Sequence, residues 1–290
     1  MTYEEVKTDN EVNCKNCFME GLGTFALCYV GGWACMMSDL GKVDIVGVAL
    51  AHMFVLGFMI WAGAGISGGQ YNGAVTLGCL VTGHTGGKKA AIYLGCQFLG
   101  SLLAGCMLAI FKAMYTRDPL IFKSMLGYPH ADVARYGITT CILTEIIATF
   151  FLVFMVFATA LGSSKPKSEV YGLTIGGALG MAILSIGPIT GAALNPFRVL
   201  GPSIISGEIA NSAYWYAFIY YLGCPLGGVL CGLVWKFVFM RLPSEPEDAD
   251  NHADDEEKRQ LTGDKQQEPP KDTPKDTPTE PQNVAGDNQA

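Results

Sequence analysis

The sequence predicts an all-α membrane protein in which six transmembrane helices and two re-entrant half-helices form an inverted repeat. The 290-residue chain is 50% hydrophobic, and its apolar residues are concentrated in six runs that carry very few charges. Each run is close to the ~20 residues that a helix needs to cross a bilayer. Two further apolar segments follow loops of small residues and are too short to cross, which is typical of re-entrant segments.

The six long runs define the predicted spans. Helices buried in a soluble core are the alternative, but such helices normally keep a polar face and these runs barely have one. In chain order the predicted spans are Phe18–Met37, Ile45–Ala64, Ala90–Phe111, Ile138–Leu161, Tyr171–Ile189 and Trp215–Phe239.

The two short segments share one plan, in which an asparagine follows a loop of small residues and starts a short apolar helix. Asparagine is a favoured helix N-cap. A helix that starts at mid-membrane directs its free N–H groups and positive dipole end there. Two such segments in matching halves of a chain indicate a solute site at the midplane. The two boxes read Asn72-Gly73-Ala74 and Asn195-Pro196-Phe197.

An internal repeat relates the two boxes. Glu20 and Glu145 each begin a Glu-x-x-x-Thr-Phe sequence, 52 residues before Asn72 and 50 residues before Asn195. Each repeat has three spans, so the second copy is inverted relative to the first. Carboxylates inside spans are costly, and we expect these two to accept hydrogen bonds from the backbone of the re-entrant loops. A proton relay, as in a pump, is the alternative role.

Composition divides the chain into three parts. Residues 1–17 form a polar N-terminal segment, and residues 18–242 form the membrane domain, with repeats at about 18–111 and 138–239. Residues 243–290 hold 14 acidic and 5 basic residues and almost nothing apolar. This composition predicts a disordered acidic tail.

Charge also bears on orientation. Basic residues flank the segments that lie on the same side as the two termini, which favours cytosolic termini. They are Lys88, Lys89, Lys165, Lys167 and Arg241. The connection at residues 112–137 carries basic residues too and weakens this count. In the tail two threonines precede prolines and are candidate kinase sites, although a solvated spacer is the simpler interpretation; they are Thr273 and Thr277.

Nothing in the sequence indicates a metal, a cofactor or a nucleic-acid partner. Cys14 and Cys17 form a lone Cys-x-x-Cys without the further ligands of a zinc or redox site. Most of the ten cysteines lie in or beside apolar segments, where cysteine behaves as a small hydrophobe.

The twin boxes and six spans resemble the aquaporins (major intrinsic proteins), whose boxes read Asn-Pro-Ala, and the likeness covers roughly residues 14–242. The resemblance implies an aquaporin-like channel domain and a passive channel for water, rather than an enzyme. Small neutral solutes such as ammonia, urea or hydrogen peroxide are further expected cargo. It also implies a homotetramer embedded in membrane lipid, with both termini cytosolic, in the plasma membrane or an intracellular vacuolar membrane.

In aquaporins a selectivity filter lies at fixed offsets from the two asparagines. In this sequence those offsets give His52, Ile183, Ala192 and Arg198. This set is similar to that of plant tonoplast intrinsic proteins. Glycerol facilitators differ, because they carry an Asp after the filter Arg and Val199 stands there in this chain. We expect His52 to offer polar contacts to ammonia as well as to water.

Two residues depart from the family pattern, Gly73 in place of Pro and Phe197 in place of Ala. We expect Gly73→Pro to be tolerated, because proline suits the first position of a helix. These departures leave the width of the pore at the midplane undetermined. A structural or low-conductance protein therefore remains an alternative. A glycerol-permeable channel is a second alternative, and a proton-coupled transporter that uses Glu20 or Glu145 as a carrier is a third. Because Ala192 stands where some water channels carry a reactive Cys, Cys79 is the expected target of mercury.

Overall fold

The computed structural model describes residues 10–115, 126–162, 170–208 and 216–240. All of them belong to the compact unit that spans Met1–Ser244. Nine α-helices lie within these residues: α1 Cys14–Asp39, α2 Ile45–Gly63, α3 Gly73–Val81, α4 Gly87–Tyr115, α5 Val133–Tyr136, α6 Ile138–Val156, α7 Tyr171–Thr190, α8 Pro196–Ile205 and α9 Phe218–Val234. Short π-helical turns extend α6 to Leu161 and α9 to Phe239.

Six of these helices are long and apolar enough to cross a membrane, and the predicted fold class is confirmed. The first span begins at Cys14 rather than Phe18, because Asn13 caps it by accepting a hydrogen bond from the Asn16 amide at 3.0 Å. Several predictions lie outside the described residues: Trp215 in the last span, the tail 243–290 with Thr273 and Thr277, and the flanking residues Lys165, Lys167 and Arg241.

Successive spans run in opposite directions, so the loop segments alternate between two membrane faces. The face at which α1 begins is termed proximal and the other face distal. The loop before α3 lies on the proximal side, where α2 ends and α4 begins. The loop before α8 lies on the distal side, where α7 ends and α9 begins. The two half-helices therefore enter from opposite faces, as the inverted repeat predicts.

Close helix crossings occur at equivalent places in the two repeats. A Cβ atom added to Gly100 on α4 would lie 2.1 Å from the carbonyl oxygen of Gly21 on α1. One added to Gly227 on α9 would lie 2.5 Å from the carbonyl oxygen of Ile146 on α6. Only glycine permits these contacts, and small residues are what allows membrane helices to approach closely.

Candidate functional site

The two asparagines of the boxes cap the half-helices. Oδ1 of Asn72 accepts a hydrogen bond from the Ala74 amide at 2.8 Å, and Oδ1 of Asn195 accepts one from the Phe197 amide at 3.1 Å. These bonds fix each side-chain oxygen on its own helix and direct the side-chain nitrogen away from it. Both asparagines are almost fully buried.

Each asparagine also braces the opposite loop. Nδ2 of Asn72 donates to the Leu194 carbonyl at 2.9 Å, and Nδ2 of Asn195 donates to the Tyr71 carbonyl at 3.0 Å. An amide nitrogen carries two hydrogens, so each Nδ2 keeps a second one. The half-helices are thus tied to one another while retaining a pair of N–H donors.

The residues that precede the asparagines have a strained backbone. Tyr71 and Leu194 both have a φ of 51°, in the left-handed region, which costs a residue other than glycine about 1–3 kcal/mol. This conformation turns both carbonyls toward the opposite asparagine. This symmetric strain was not predictable from residue type, because tyrosine and leucine have no preference for such a position.

Glu20 holds the first loop in place. Its Oε1 accepts hydrogen bonds from the Ser67 hydroxyl at 2.7 Å and the Gln70 amide at 3.0 Å. Its Oε2 accepts from the Tyr71 amide at 2.8 Å and from Nε2 of Gln97 at 2.8 Å. Four donors from the loop and α4 therefore converge on one buried carboxylate.

Glu145 makes the equivalent set of contacts with the second loop. Its Oε1 accepts from the Thr190 hydroxyl at 2.6 Å and the Ala193 amide at 3.0 Å. Its Oε2 accepts from the Leu194 amide at 3.0 Å and from the Cys224 thiol at 3.5 Å. Both carboxylates thus satisfy non-helical backbone at membrane depth, which a bilayer cannot do.

Of the four proposed filter residues, Arg198 and His52 are in direct contact. Nδ1 of His52 lies 2.8 Å from the Val48 carbonyl, which can only accept, so Nδ1 carries the proton. Nε2 is then the acceptor for Nε of Arg198 at 3.3 Å. Both ring nitrogens have protein partners, so the expected direct bond from His52 to a solute gives way to an indirect role, in which His52 holds Arg198.

Two further contacts of Arg198 were not anticipated from the sequence. Its Nη2 donates to the Gly127 carbonyl at 2.6 Å and lies 3.5 Å from the Cys35 sulfur. A backbone carbonyl leaves no signal in residue type, and Cys35 is one of several cysteines in apolar helices. Nη1 of Arg198 is buried and has no hydrogen-bond partner among the described residues.

The other two filter candidates, Ile183 and Ala192, are each 4% exposed and belong to one hydrophobic cluster. Ala192 also has a φ of 51°, and its amide donates to the Thr190 hydroxyl at 3.1 Å. They supply apolar surface near the second loop, in contrast to the polar pair of Arg198 and His52.

A cavity of about 450 Å³ leads from the proximal side to Asn72. Its lining combines apolar residues of α2, α6 and α7 with polar residues of the first loop, the turn after α3 and the start of α4. Its polar lining includes Ser67, Gln70, Asn72, His84, Thr85 and Lys89.

Comparison with known proteins gives a consistent result. The family description "Major intrinsic protein" matches residues 7–235. The chain is 37% identical to Aquaporin TIP4-4 of Zea mays over 199 residues, which cover 68% of this chain and 73% of that protein. It is 36% identical to Probable aquaporin TIP2-2 of Arabidopsis thaliana over 211 residues, which cover 72% and 78%.

A solved structure shares the fold. The X-ray structure of the aquaglyceroporin from Plasmodium falciparum superimposes with a TM-score of 0.66, covering 78% of this chain and 96% of that one. The two sequences are 22% identical, so this likeness concerns the fold alone.

Proposed function

This chain belongs to the major intrinsic protein family and is a passive multi-pass membrane channel for water rather than an enzyme, and from that premise we propose how its residues select what passes. Asn72 and Asn195 form the central donor pair. His52, Ile183, Ala192 and Arg198 form the selectivity filter, and Glu20 and Glu145 anchor the two loops.

The observation that carries the proposal is the reciprocal bracing of the two asparagines across the midplane. Each Nδ2 has one hydrogen bound to the opposite loop and one remaining. A water that accepts from both donors cannot readily accept from its neighbour in the file, which opposes proton hopping. The positive ends of two half-helices repel cations at the same point.

The residues of the filter favour the passage of small neutral solutes in addition to water. Nη1 of Arg198 can donate to the oxygen of water or urea or to the nitrogen of ammonia, while Ile183 and Ala192 offer only apolar surface. A solute with many hydroxyl groups would leave several of them unpaired there, at about 1–3 kcal/mol each. Water, ammonia, urea and hydrogen peroxide are therefore the proposed solutes, and glycerol is a poor one.

The transporter alternative would require Glu20 or Glu145 to carry protons. Every contact described for the two carboxylates is with a hydrogen-bond donor. A proton on either group would break one of these bonds, which favours an anchoring role.

The proposal also covers the assembly of the channel, its orientation and its membrane. Outward apolar side chains such as Leu99, Phe151 and Phe237 are at least 60% exposed in the single chain and suit lipid or a second copy in a homotetramer. The basic flanks favour cytosolic termini, and the likeness to tonoplast intrinsic proteins favours a vacuolar membrane over the plasma membrane. Thr273 and Thr277 stay proposed kinase sites.

Stopped-flow measurements on the purified full chain in liposomes test the proposal. We expect rapid water and ammonia flux without a proton gradient, slower urea flux, and glycerol flux close to that of empty vesicles. Arg198→Ala should raise urea and glycerol flux. Water flux no greater than in empty vesicles would favour the low-conductance alternative, and rapid glycerol flux in the wild type would favour a glycerol channel.

A further inference from the structure

We propose that Tyr128 and Glu208 are positioning residues for the filter arginine, acting through the distal loop. The loop comprises residues 126–132, and the hydrogen bond between the Tyr128 hydroxyl and the Glu208 carboxylate is termed the distal latch. This inference rests on the proposed role of Arg198 as a filter residue and extends it to a contact outside the pore.

Two consecutive loop residues contact opposite ends of the same half-helix. The Gly127 carbonyl accepts from Nη2 of Arg198, which lies in the first turn of α8. The Tyr128 hydroxyl donates to Glu208, three residues beyond the end of α8. The same hydroxyl lies 3.1 Å from the hydroxyl of Ser206. The loop therefore bridges α8 from end to end, and a shift at Tyr128 is transmitted directly to the carbonyl that holds Arg198.

When the distal loop is packed in its observed position, termed the seated state, the Gly127 carbonyl has little freedom to move. Gly127 has a φ of 66°, and a Cβ atom added to it would lie 2.1 Å from the carbonyl oxygen of Gly32 on α1. At the other end of the loop, the Asp132 amide donates to the Ile189 carbonyl at 3.0 Å. The loop is thus packed against α1 and tied to the end of α7.

The latch is a side-chain contact that holds the distal loop against the far end of α8. Tyr128 is 2% exposed, and its hydroxyl contacts both the Glu208 carboxylate and the Ser206 hydroxyl. A hydrogen bond from a hydroxyl to a carboxylate is stronger than one between neutral groups. The ring of His130 stacks on Tyr128 with centroids 4.7 Å apart, and its Nε2 lies 3.8 Å from Glu208. These contacts bring Tyr128, His130 and Glu208 together in one partly buried cluster on the distal side.

The consequence concerns selectivity rather than water conduction. When the Gly127 carbonyl moves away, Arg198 keeps its contact with His52 but loses its shortest hydrogen bond. With only its longer contacts to His52 and Cys35 left, the guanidinium can turn out of the opening, so solutes larger than water meet less resistance. Loosening the latch should therefore raise the permeability to urea relative to water.

The test uses four variants of the full chain, purified and reconstituted in liposomes. Tyr128→Phe and Glu208→Ala each remove the latch. Glu208→Gln keeps an acceptor oxygen for the Tyr128 hydroxyl and serves as the conservative rescue. Tyr221→Phe is the matched control, because it removes a hydroxyl 3.3 Å from the Ser203 hydroxyl on the same half-helix and leaves both partners of the latch in place.

The readout is the urea-to-water permeability ratio, since a variant that merely folds poorly lowers both fluxes together. We expect the ratio to rise about tenfold, equivalent to about 1.4 kcal/mol, in Tyr128→Phe and Glu208→Ala, and to stay at the wild-type value in Glu208→Gln and Tyr221→Phe. An unchanged ratio in Tyr128→Phe and Glu208→Ala, or an equal rise in the control, would overturn the latch. Arg198→Ala is measured in parallel to test the filter itself. An unchanged ratio in Arg198→Ala would reject the proposed filter, whereas a raised ratio in Arg198→Ala with no change in the latch variants would reject the latch alone.

Discussion

Gly73 and Phe197, the two departures from the standard boxes, are in contact with each other. A Cβ atom added to Gly73 would lie 2.9 Å from Cε2 of Phe197 and 3.1 Å from Cγ of Pro196. The Phe197 ring also packs on Phe98 of α4, with centroids 6.2 Å apart. The space released by the missing side chain at position 73 is therefore occupied by the larger side chain at position 197.

This contact reverses the expectation that Gly73→Pro is tolerated. Proline suits the helix start, but its Cβ would collide with Phe197, and overpacking a tight core costs about 1–3 kcal/mol. Phe197→Ala should also destabilise, by about 3 kcal/mol, because it opens a cavity. The double variant restores the standard pair of boxes and should be more stable than either single variant.

Thermal unfolding of the four proteins in detergent measures this coupling. We expect a coupling free energy of about 0.5–3 kcal/mol in the favourable direction. Strictly additive effects would show that Gly73 and Phe197 do not compensate for one another.

Much of this architecture follows from residue pattern. The six spans, both half-helices and the pairing of Glu20 and Glu145 with the two loops were predictable, because each depends on hydropathy, length or a repeated spacing. The contact of Gly73 with Phe197 was not, because the two residues are far apart in sequence and meet only when the inverted repeats close. The contact of the Gly127 carbonyl with Arg198 likewise depends on the conformation of the distal loop, which residue types do not predict.

The reciprocal asparagine brace leads to a second prediction. In Asn72→Asp or Asn195→Asp a carboxylate oxygen replaces the donor that lies about 3 Å from the opposite carbonyl. Two acceptors would then face each other, and an anion would enter the positive collar. We expect loss of cation exclusion or of assembled channel in both variants, measured as ion conductance and water flux in liposomes.

Asn13→Asp provides the matched control, because Asn13 caps α1 by the same side-chain contact and aspartate is an equally good N-cap. Its water flux should match the wild type. Normal water flux with full ion exclusion in both box variants would contradict the role proposed for the asparagines.

The response to mercury should arise at Cys35 rather than at Cys79. Cys79 is 2% exposed, whereas Cys35 is only partly buried and its sulfur lies 3.5 Å from Nη2 of Arg198. A mercuric ion bound there would obstruct the filter from the α1 side. We expect Cys35→Ser to abolish inhibition of water flux by mercuric chloride and Cys79→Ser to leave it intact; the reverse pattern would restore the expectation made from the sequence.

The distal latch should weaken in acid through His130. Burial lowers the pKa of His130 below its ordinary value, and this effect outweighs the opposing influence of Glu208 and Asp39. His130 is therefore neutral in the seated loop at pH 7, and a proton binds more readily once the loop has lifted. The seated state is favoured fully above the ordinary histidine pKa of about 6.5 and progressively less as the pH falls below it.

We accordingly expect the urea-to-water permeability ratio to rise between pH 7.5 and pH 5.5 in wild-type liposomes and to stay flat in His130→Gln. His84→Gln is the control, because His84 lies on the proximal side and burial lowers its pKa as well. The response should persist in His84→Gln, since His84 does not contact the distal loop, and should vanish in Tyr128→Phe, where the latch is already open. An acid response that survives in His130→Gln would assign the titration to another group and separate His130 from the position of Arg198.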